Sequence, residues 1–142
     1  MAPDVYAYPI LATVAYFVLW YYLLLILQRG TKYRLKARYE KEGKVFDRYF
    51  GQDPEMLAAD RAVANTLEQM GPFLVSLWAF AVFVSPTEAG WYGGAYVLLR
   101  AMYPLLLGRR VSKLNSKRVA FVTTPAYLLI FTMLGRTAAA AL

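Results

Sequence analysis

The sequence predicts an all-α integral membrane protein, a bundle of four helices that each cross the bilayer. Of its 142 residues 59% are hydrophobic and 18% are charged, whereas soluble domains carry about a quarter of charged residues. The hydrophobic residues fall in four blocks, each near the length that a helix needs to cross a hydrocarbon core of about 30 Å. Inside lipid only helices and closed barrels satisfy the backbone, and this short chain has too few turns to close a barrel.

The four blocks form a single membrane domain over residues 1–142, with spans at about residues 5–27, 61–84, 91–108 and 119–134. The first span contains no charged residue. The preceding MAPD has no basic residue, and no small-residue cleavage site follows, so the pattern differs from a removable signal peptide. After this span, charged and aromatic residues alternate. We expect part of this segment to continue the helix before a turn near residues 51–54, or to offer a docking surface to a membrane-protein partner.

The second span opens with the polar run RAVANTLEQMGPF and continues as the apolar run LVSLWAFAVFV. The third opens with Trp91 and Tyr92, which are typical anchors at a membrane–water interface. The fourth contains Pro125, and we expect the preceding Thr123 and Thr124 to help satisfy the carbonyl that a proline frees in a membrane helix.

Basic residues are concentrated in two of the three predicted loops. The first loop holds Arg29, Lys32, Arg34, Lys36, Arg38, Lys41, Lys44 and Arg48, the third holds Arg109, Arg110, Lys113, Lys117 and Arg118, and the second loop, SPTEAG, has none. Cytoplasmic loops are enriched in such residues, so both basic loops are predicted to face the cytoplasm and both termini the opposite side. The net charge of +7 follows from this topology. Since the charges flank spans and form no recognition motif, nucleic-acid binding is not predicted.

The chain contains neither cysteine nor histidine. It therefore offers no disulfide, no thiolate nucleophile and no zinc–thiolate site, and it lacks the commonest metal ligand and the usual neutral-pH base. We expect no metal site, and any thiol chemistry has to come from a substrate.

A polar stripe lies at the start of the second span. Arg61, Asn65, Glu68 and Pro72 are spaced i, i+4, i+7 and i+11, which places them on one helix face. Because a charge within a span costs on the order of 3 kcal/mol, we expect this face to meet the bundle interior or a subunit interface. A cation, an amide and an anion in line over about 10 Å suit a small zwitterion with carboxylates and an ammonium group.

A purely structural interpretation of the stripe stands beside this one. Arg61 is then a residue whose charged end reaches the interface from the end of a helix. Asn65 and Glu68 hold helices together by pairing with Arg100 of the third span.

The run RAVANTLEQMGPFL at residues 61–74 resembles the pattern of the membrane-associated proteins in eicosanoid and glutathione metabolism, the MAPEG family. Its NTLE portion is most similar to the branch of the type three microsomal glutathione transferase. The run RAMY at residues 100–103 resembles the family's Arg-x-x-Tyr on the third helix, and a basic loop follows it before the fourth span.

The resemblance implies a homotrimer whose sites lie between subunits near the cytoplasmic side. There glutathione, the co-substrate, binds in a bent form and its thiolate attacks a lipophilic substrate. By similarity, Arg61, Asn65 and Glu68 contact glutathione, and Arg100 and Tyr103 complete its pocket. The implied function is that of a glutathione-dependent transferase or peroxidase acting on lipophilic electrophiles or lipid hydroperoxides.

The family's catalytic arginine stands at the start of the fourth helix, and its role is to hold the sulfur as a thiolate. Lys113, Lys117 and Arg118 are the candidates here. We favour Arg118 because it directly precedes the apolar run VAFV.

Two departures from the family pattern favour an alternative. Val63 and Ala64 stand where the family often has His or Gln, and PLLLG follows Tyr103 where the nearest branch has further tyrosines. These apolar replacements suit a non-catalytic membrane subunit or scaffold that keeps the four-helix fold.

Overall fold

The computed structural model describes residues 3–112 and 117–142, and in these ranges the chain forms helices and no strands. A 3₁₀ turn, Pro3–Tyr6, leads into α1, Ala7–Tyr22, which continues through a π-helical segment, Leu23–Gln28, into α2, Arg29–Lys41; α3 is Pro54–Phe83, α4 is Pro86–Leu107 and α5 is Ala120–Ala141. Since α1 and α2 belong to one helix from Asp4 to Lys41, the bundle has four helical rods. The predicted all-α, four-helix architecture is confirmed.

The first rod extends well beyond the apolar block, as expected for the start of the basic segment. It ends at Lys41, and Gly43 then adopts a positive φ of 65°, a conformation that glycine enters without a Cβ penalty. The expected turn near residues 51–54 is therefore preceded by an earlier one, and residues 44–53 form an irregular loop.

Two helices begin earlier than the hydrophobic blocks suggested, because each has an N-cap and a proline at its first position. Asp53 accepts hydrogen bonds from the backbone N–H groups of Glu55 and Met56, with Pro54 at the start of α3. Ser85 accepts one from the Glu88 N–H at the start of α4. Most of the predicted second loop, SPTEAG, is thus the first turn of α4.

Many large apolar side chains lie on the outer surface of the bundle. Two helices are long and apolar enough to cross a membrane by length and composition, Asp4–Lys41 with a mean hydropathy of 2.3 and Pro54–Phe83 with 1.2. In the most apolar 18-residue stretch of each helix, only 17% and 33% of the residues, respectively, are buried inside the bundle. The core helix of a soluble protein is mostly buried. Large side chains such as Val18 and Phe131 point outward, as lipid contact requires.

The core centres on three aromatic rings from α1, α3 and α4. The Phe73 and Tyr96 rings stack with centroids 4.2 Å apart, and the Tyr16 ring lies 4.9 Å from Phe73. Gly93 lets α4 approach α1 closely, since a Cβ there would lie 2.7 Å from the Ala12 Cβ. Small residues commonly allow such close helix contacts in membranes.

The two basic loops meet at one end of the bundle. The Val111 N–H donates to the Pro54 carbonyl at 3.3 Å, which joins the third loop to the start of α3. At the opposite end Arg136, near the C-terminus, forms an ion pair with Glu88. The relative placement of loops and termini thus follows an alternating crossing, and the side that faces the cytoplasm stays a prediction.

Candidate functional site

The centre of the polar stripe is a buried pair between α3 and α4. The Arg100 side chain is 1% exposed, and its Nη2 donates a hydrogen bond to Asn65 Oδ1. The guanidinium carbon also lies 5.0 Å from the centroid of the Tyr103 ring. In the described parts of the chain no carboxylate pairs with Arg100, and its Nε has no partner. Asn65, Arg100 and Tyr103 therefore lie together, in a contact that also holds the two helices. The pairing of Glu68 with Arg100 that the structural interpretation expected is not formed among the described residues.

The charged ends of the stripe point outward. Arg61, Glu68 and Pro72 are exposed, and neither charged side chain forms a hydrogen bond or ion pair with another described residue. They stand about one helical turn before and one turn after Asn65 on α3, so they flank the buried pair. Of the two environments expected for the stripe, the bundle interior fits Asn65, and a subunit interface remains the expectation for Arg61 and Glu68.

Sequence reasoning missed several polar groups around this pair. The Tyr16 hydroxyl donates to the Thr66 carbonyl at 2.6 Å inside the core. Gln69 Nε2 donates to the Tyr127 hydroxyl at 3.1 Å, which joins α3 to α5. Because Gln69 directly follows Glu68, α5 contributes a hydroxyl to the neighbourhood of the stripe. The signal available in the sequence was Gln69, a polar residue directly after Glu68 within a predicted span.

The predicted catalytic arginine lies at the start of the fourth rod. Arg118 and Lys117 are exposed just before α5, and neither forms a hydrogen bond or ion pair with a described residue. Lys113, the third candidate, lies outside the described residues. The assignment of Arg118 therefore stays a prediction.

The apolar run PLLLG does not interrupt the third rod. Pro104 lies inside α4, which continues to Leu107. Leu107 is buried with Ala58, Tyr103 and Val122 in a small hydrophobic cluster. The leucine that follows Tyr103 by one helical turn thus fills a packing position between α3, α4 and α5.

A second polar cluster, which sequence reasoning also missed, lies at the basic end. Glu55 is 8% exposed and accepts hydrogen bonds from Arg34 and Arg38 at 2.9 Å and from Arg110 at 3.3 Å. These contacts tie α2 and the third loop to the start of α3. A cavity of about 270 Å³ adjoins Glu55 and is lined mainly by apolar side chains of the first rod, α3 and α4.

Among the described residues, no group of three or more acidic or histidine side chains has a geometry suited to a metal ion.

Comparison with known proteins gives a family-level match. The model of the MAPEG family matches residues 6–139, which covers nearly the whole chain and all four rods. A search of curated proteins finds no match.

Proposed function

This chain belongs to the MAPEG family, and on that premise we propose that it is a membrane-bound glutathione-dependent transferase or peroxidase. Its second substrates are lipophilic electrophiles or lipid hydroperoxides. The family includes such enzymes as well as non-catalytic members. Within it, the NTLE run at residues 65–68 supports a place near the type three microsomal glutathione transferase branch.

The observation that carries this proposal is the exposure of Arg61 and Glu68 without a partner among the described residues. Charges within a membrane span are costly unless something pairs with them. They stand two helical turns apart, about 10 Å at 1.5 Å per residue, on either side of Asn65. A peptide that carries carboxylates and an ammonium group supplies both missing partners.

Each residue of the site then has a distinct role. Arg61 binds a glutathione carboxylate in a charge-assisted pair, and Glu68 binds the ammonium group. Asn65 already accepts a hydrogen bond from Arg100 through its oxygen, which leaves its amide N–H groups for the peptide. Tyr103 offers its hydroxyl beside them.

Arg118 stabilises the thiolate of bound glutathione, and Lys113 and Lys117 are the other candidates for this role. A nearby cation lowers the pKa of a thiol from about 8.5 toward neutrality, so the glutathione sulfur is held as a thiolate. The thiolate attacks the electrophilic atom of the lipophilic substrate, and the leaving group departs with the bonding electron pair. The nucleophile comes from the substrate, which suits a chain without cysteine.

The site is completed in a homotrimer, where a neighbouring copy covers the exposed face of α3. The positions of Arg61 and Glu68 on the surface of a single chain support this arrangement. The lipophilic substrate reaches the site from the bilayer.

A specific observation favours the second candidate, a non-catalytic membrane subunit or scaffold. The Asn65–Arg100 hydrogen bond and the burial of Leu107 both serve helix packing without any ligand. In this case the residues of the stripe hold helices or subunits together and bind no ligand.

A glutathione titration of the purified protein distinguishes the two candidates. Calorimetry measures binding, and ultraviolet absorbance of the thiolate together with turnover of a reactive aryl halide measures activation. We expect Arg61→Leu to weaken binding first. We expect Arg118→Leu to abolish the thiolate signal and turnover while leaving binding largely intact. Contacts that hold the bound tripeptide change its apparent affinity, whereas contacts with the reacting sulfur change the turnover rate.

Absence of both glutathione binding and aryl halide turnover in the unmodified protein would overturn the enzyme proposal in favour of the scaffold. Loss of binding in Arg118→Leu equal to that in Arg61→Leu would contradict the division of roles between the two arginines.

A further inference from the structure

A second pocket, separate from the stripe, lies on the outside of the first rod where its apolar part ends. Its volume is about 330 Å³, roughly ten times the volume that one water occupies in the liquid, and it is lined by Leu24, Leu25, Gln28, Arg29, Lys32, Tyr33, Arg48 and Tyr49. We call these eight residues the interfacial basic pocket. None of them belongs to the proposed glutathione site.

One wall of this pocket is formed by Arg48 and Tyr49 of the loop at residues 44–53, and hydrogen bonds hold this loop against α3 and the first rod. Arg48 donates two hydrogen bonds to the Asp60 carboxylate, at 3.0 and 2.9 Å. Gln28 donates a third to Asp60 Oδ1 at 2.8 Å. Asp60 on α3 thus anchors both the loop and the first rod, so the pocket does not depend on free surface side chains alone.

Hydrogen bonds between a side chain and the backbone also stabilise the turn that carries Arg48. The Asp47 carboxylate accepts hydrogen bonds from the Phe50 and Tyr49 backbone N–H groups at 2.9 and 3.0 Å, and these bonds hold the pKa of Asp47 below its ordinary value. Gly51 closes the turn, because a Cβ there would lie 2.4 Å from the Asp47 carbonyl oxygen.

The pocket carries an uncompensated positive charge. Asp60 pairs with Arg48, whereas Arg29 and Lys32 have no carboxylate within ion-pair distance among the described residues. Both cations lie 5.7 Å from the centroid of the Tyr33 ring, and this contact leaves their charge available. A ligand that satisfies the pocket is therefore an anion.

The location decides what kind of anion it is. Arg29 stands two residues after the uncharged block at residues 5–27, so the pocket lies at the depth of the lipid phosphates when that block crosses the hydrocarbon core. Leu24 and Leu25 form its apolar side, and Leu25 is exposed. An anionic headgroup above a hydrocarbon chain matches this order of polar and apolar walls.

We propose that the interfacial basic pocket binds an anionic phospholipid. Arg29 and Lys32 pair with its phosphate-bearing headgroup, and Leu24 with Leu25 contacts the glycerol and the first methylenes of an acyl chain. Basic residues clustered just beyond the end of a membrane helix attract anionic lipid headgroups in this way.

Native mass spectrometry of the detergent-purified protein tests the proposal. The unmodified chain is titrated with phosphatidylglycerol and with phosphatidylcholine of identical acyl chains. We expect Arg29→Gln with Lys32→Gln to lose about 25-fold of the preference for phosphatidylglycerol, since each basic residue near the surface contributes about five-fold. The matched control, Lys36→Gln with Lys41→Gln, removes the same charge from the same helix outside the pocket and should lose at most about two-fold.

Further variants separate charge from folding. Arg29→Lys with Lys32→Arg keeps both charges and should keep the lipid preference. If the double glutamine variant fails to fold by circular dichroism, each single glutamine variant should still lose about five-fold. Glutathione binding should be unchanged in all of them, so failure of this proposal is distinguishable from failure of the proposed function.

Three results would overturn the lipid proposal. The first is an unmodified protein that binds both lipids equally. The second is a control pair that loses as much preference as the pocket pair, which would indicate attraction without a site. The third is displacement of the bound lipid by excess inorganic phosphate, which would indicate a site for soluble anions.

Discussion

At the scale of single residues, the stripe combines two roles that its spacing could not separate. Arg61, Asn65 and Glu68 lie along one side of α3, as the helical period predicts. Asn65 turns toward α4 and meets Arg100, while Arg61 and Glu68 stay exposed. Which side of a stripe is buried depends on the neighbouring helix, and periodicity within one segment contains no information about that neighbour.

We expect Asn65→Ala to lower the free energy of unfolding by about 2 kcal/mol, because it removes the amide oxygen that accepts a hydrogen bond from the buried Arg100 guanidinium. Arg61→Ala should change it by less than about 0.5 kcal/mol, since Arg61 is exposed and such substitutions are usually mild. Reversible unfolding in mixed micelles measures both values. Equal losses for the two variants would show that Arg61 is a structural residue too.

The missed residues at this scale share one property, which is that their partners come from distant parts of the chain. Glu55 pairs with Arg34, Arg38 and Arg110, and Asp60 pairs with Arg48. The sequence shows many basic residues and few acidic ones, so it leaves open which arginine each acid selects. Only the folded loops decide those pairings.

At the scale of helices, the hydrophobic blocks predicted how many rods form but not where they begin. Asp53 with Pro54 and Ser85 with Pro86 start α3 and α4 ahead of their apolar blocks. These cap signals were present in the sequence, and a criterion based on hydropathy passes over them because capping residues are polar. The membrane determines the apolar length, whereas the caps determine the helix length.

Two glycines on α4 test how closely the first and third rods pack. A Cβ at Gly90 would lie 2.1 Å from the Tyr8 Cβ, whereas a Cβ at Gly94 would meet nothing within 4 Å. Both alanine substitutions gain the same helix propensity, about 1 kcal/mol. We therefore expect Gly90→Ala to be less stable than Gly94→Ala by about 1–3 kcal/mol, the usual cost of overpacking.

Thermal or denaturant unfolding of the two alanine variants, measured in the same detergent, gives this difference directly. Equal stability would mean that the N-terminal turn of the first rod moves away from α4 at no cost. The contact between Tyr8 and Gly90 would then not define the packing of that end.

At the scale of the whole molecule, the two basic loops lie at the same end of the bundle. The first and third loops meet at one end, and the short connection between α3 and α4 lies at the other. With basic loops in the cytoplasm, a cysteine introduced at Glu40 should react with a membrane-impermeant maleimide from the cytoplasmic side, and one introduced at Thr87 only from the opposite side. Both positions are exposed, and the chain has no other cysteine. The reverse pattern would invert the topology and place the stripe nearer the wrong side of the membrane.

The exposed charges of the stripe lead to the prediction of assembly. A single chain in a bilayer would present Arg61 and Glu68 to lipid, at a cost of about 2.5–3.5 kcal/mol for a charge near a helix centre, while a neighbouring copy can cover them. We expect a trimer, with three times the chain mass of 16.1 kDa, by native mass spectrometry in mild detergent. A cysteine introduced at Glu68 should react slowly with a lipid-soluble maleimide in that trimer and rapidly after dissociation in a denaturing detergent. A monomeric mass together with rapid labelling in the native state would refute the interface, because the stripe would then face lipid with no partner from any chain.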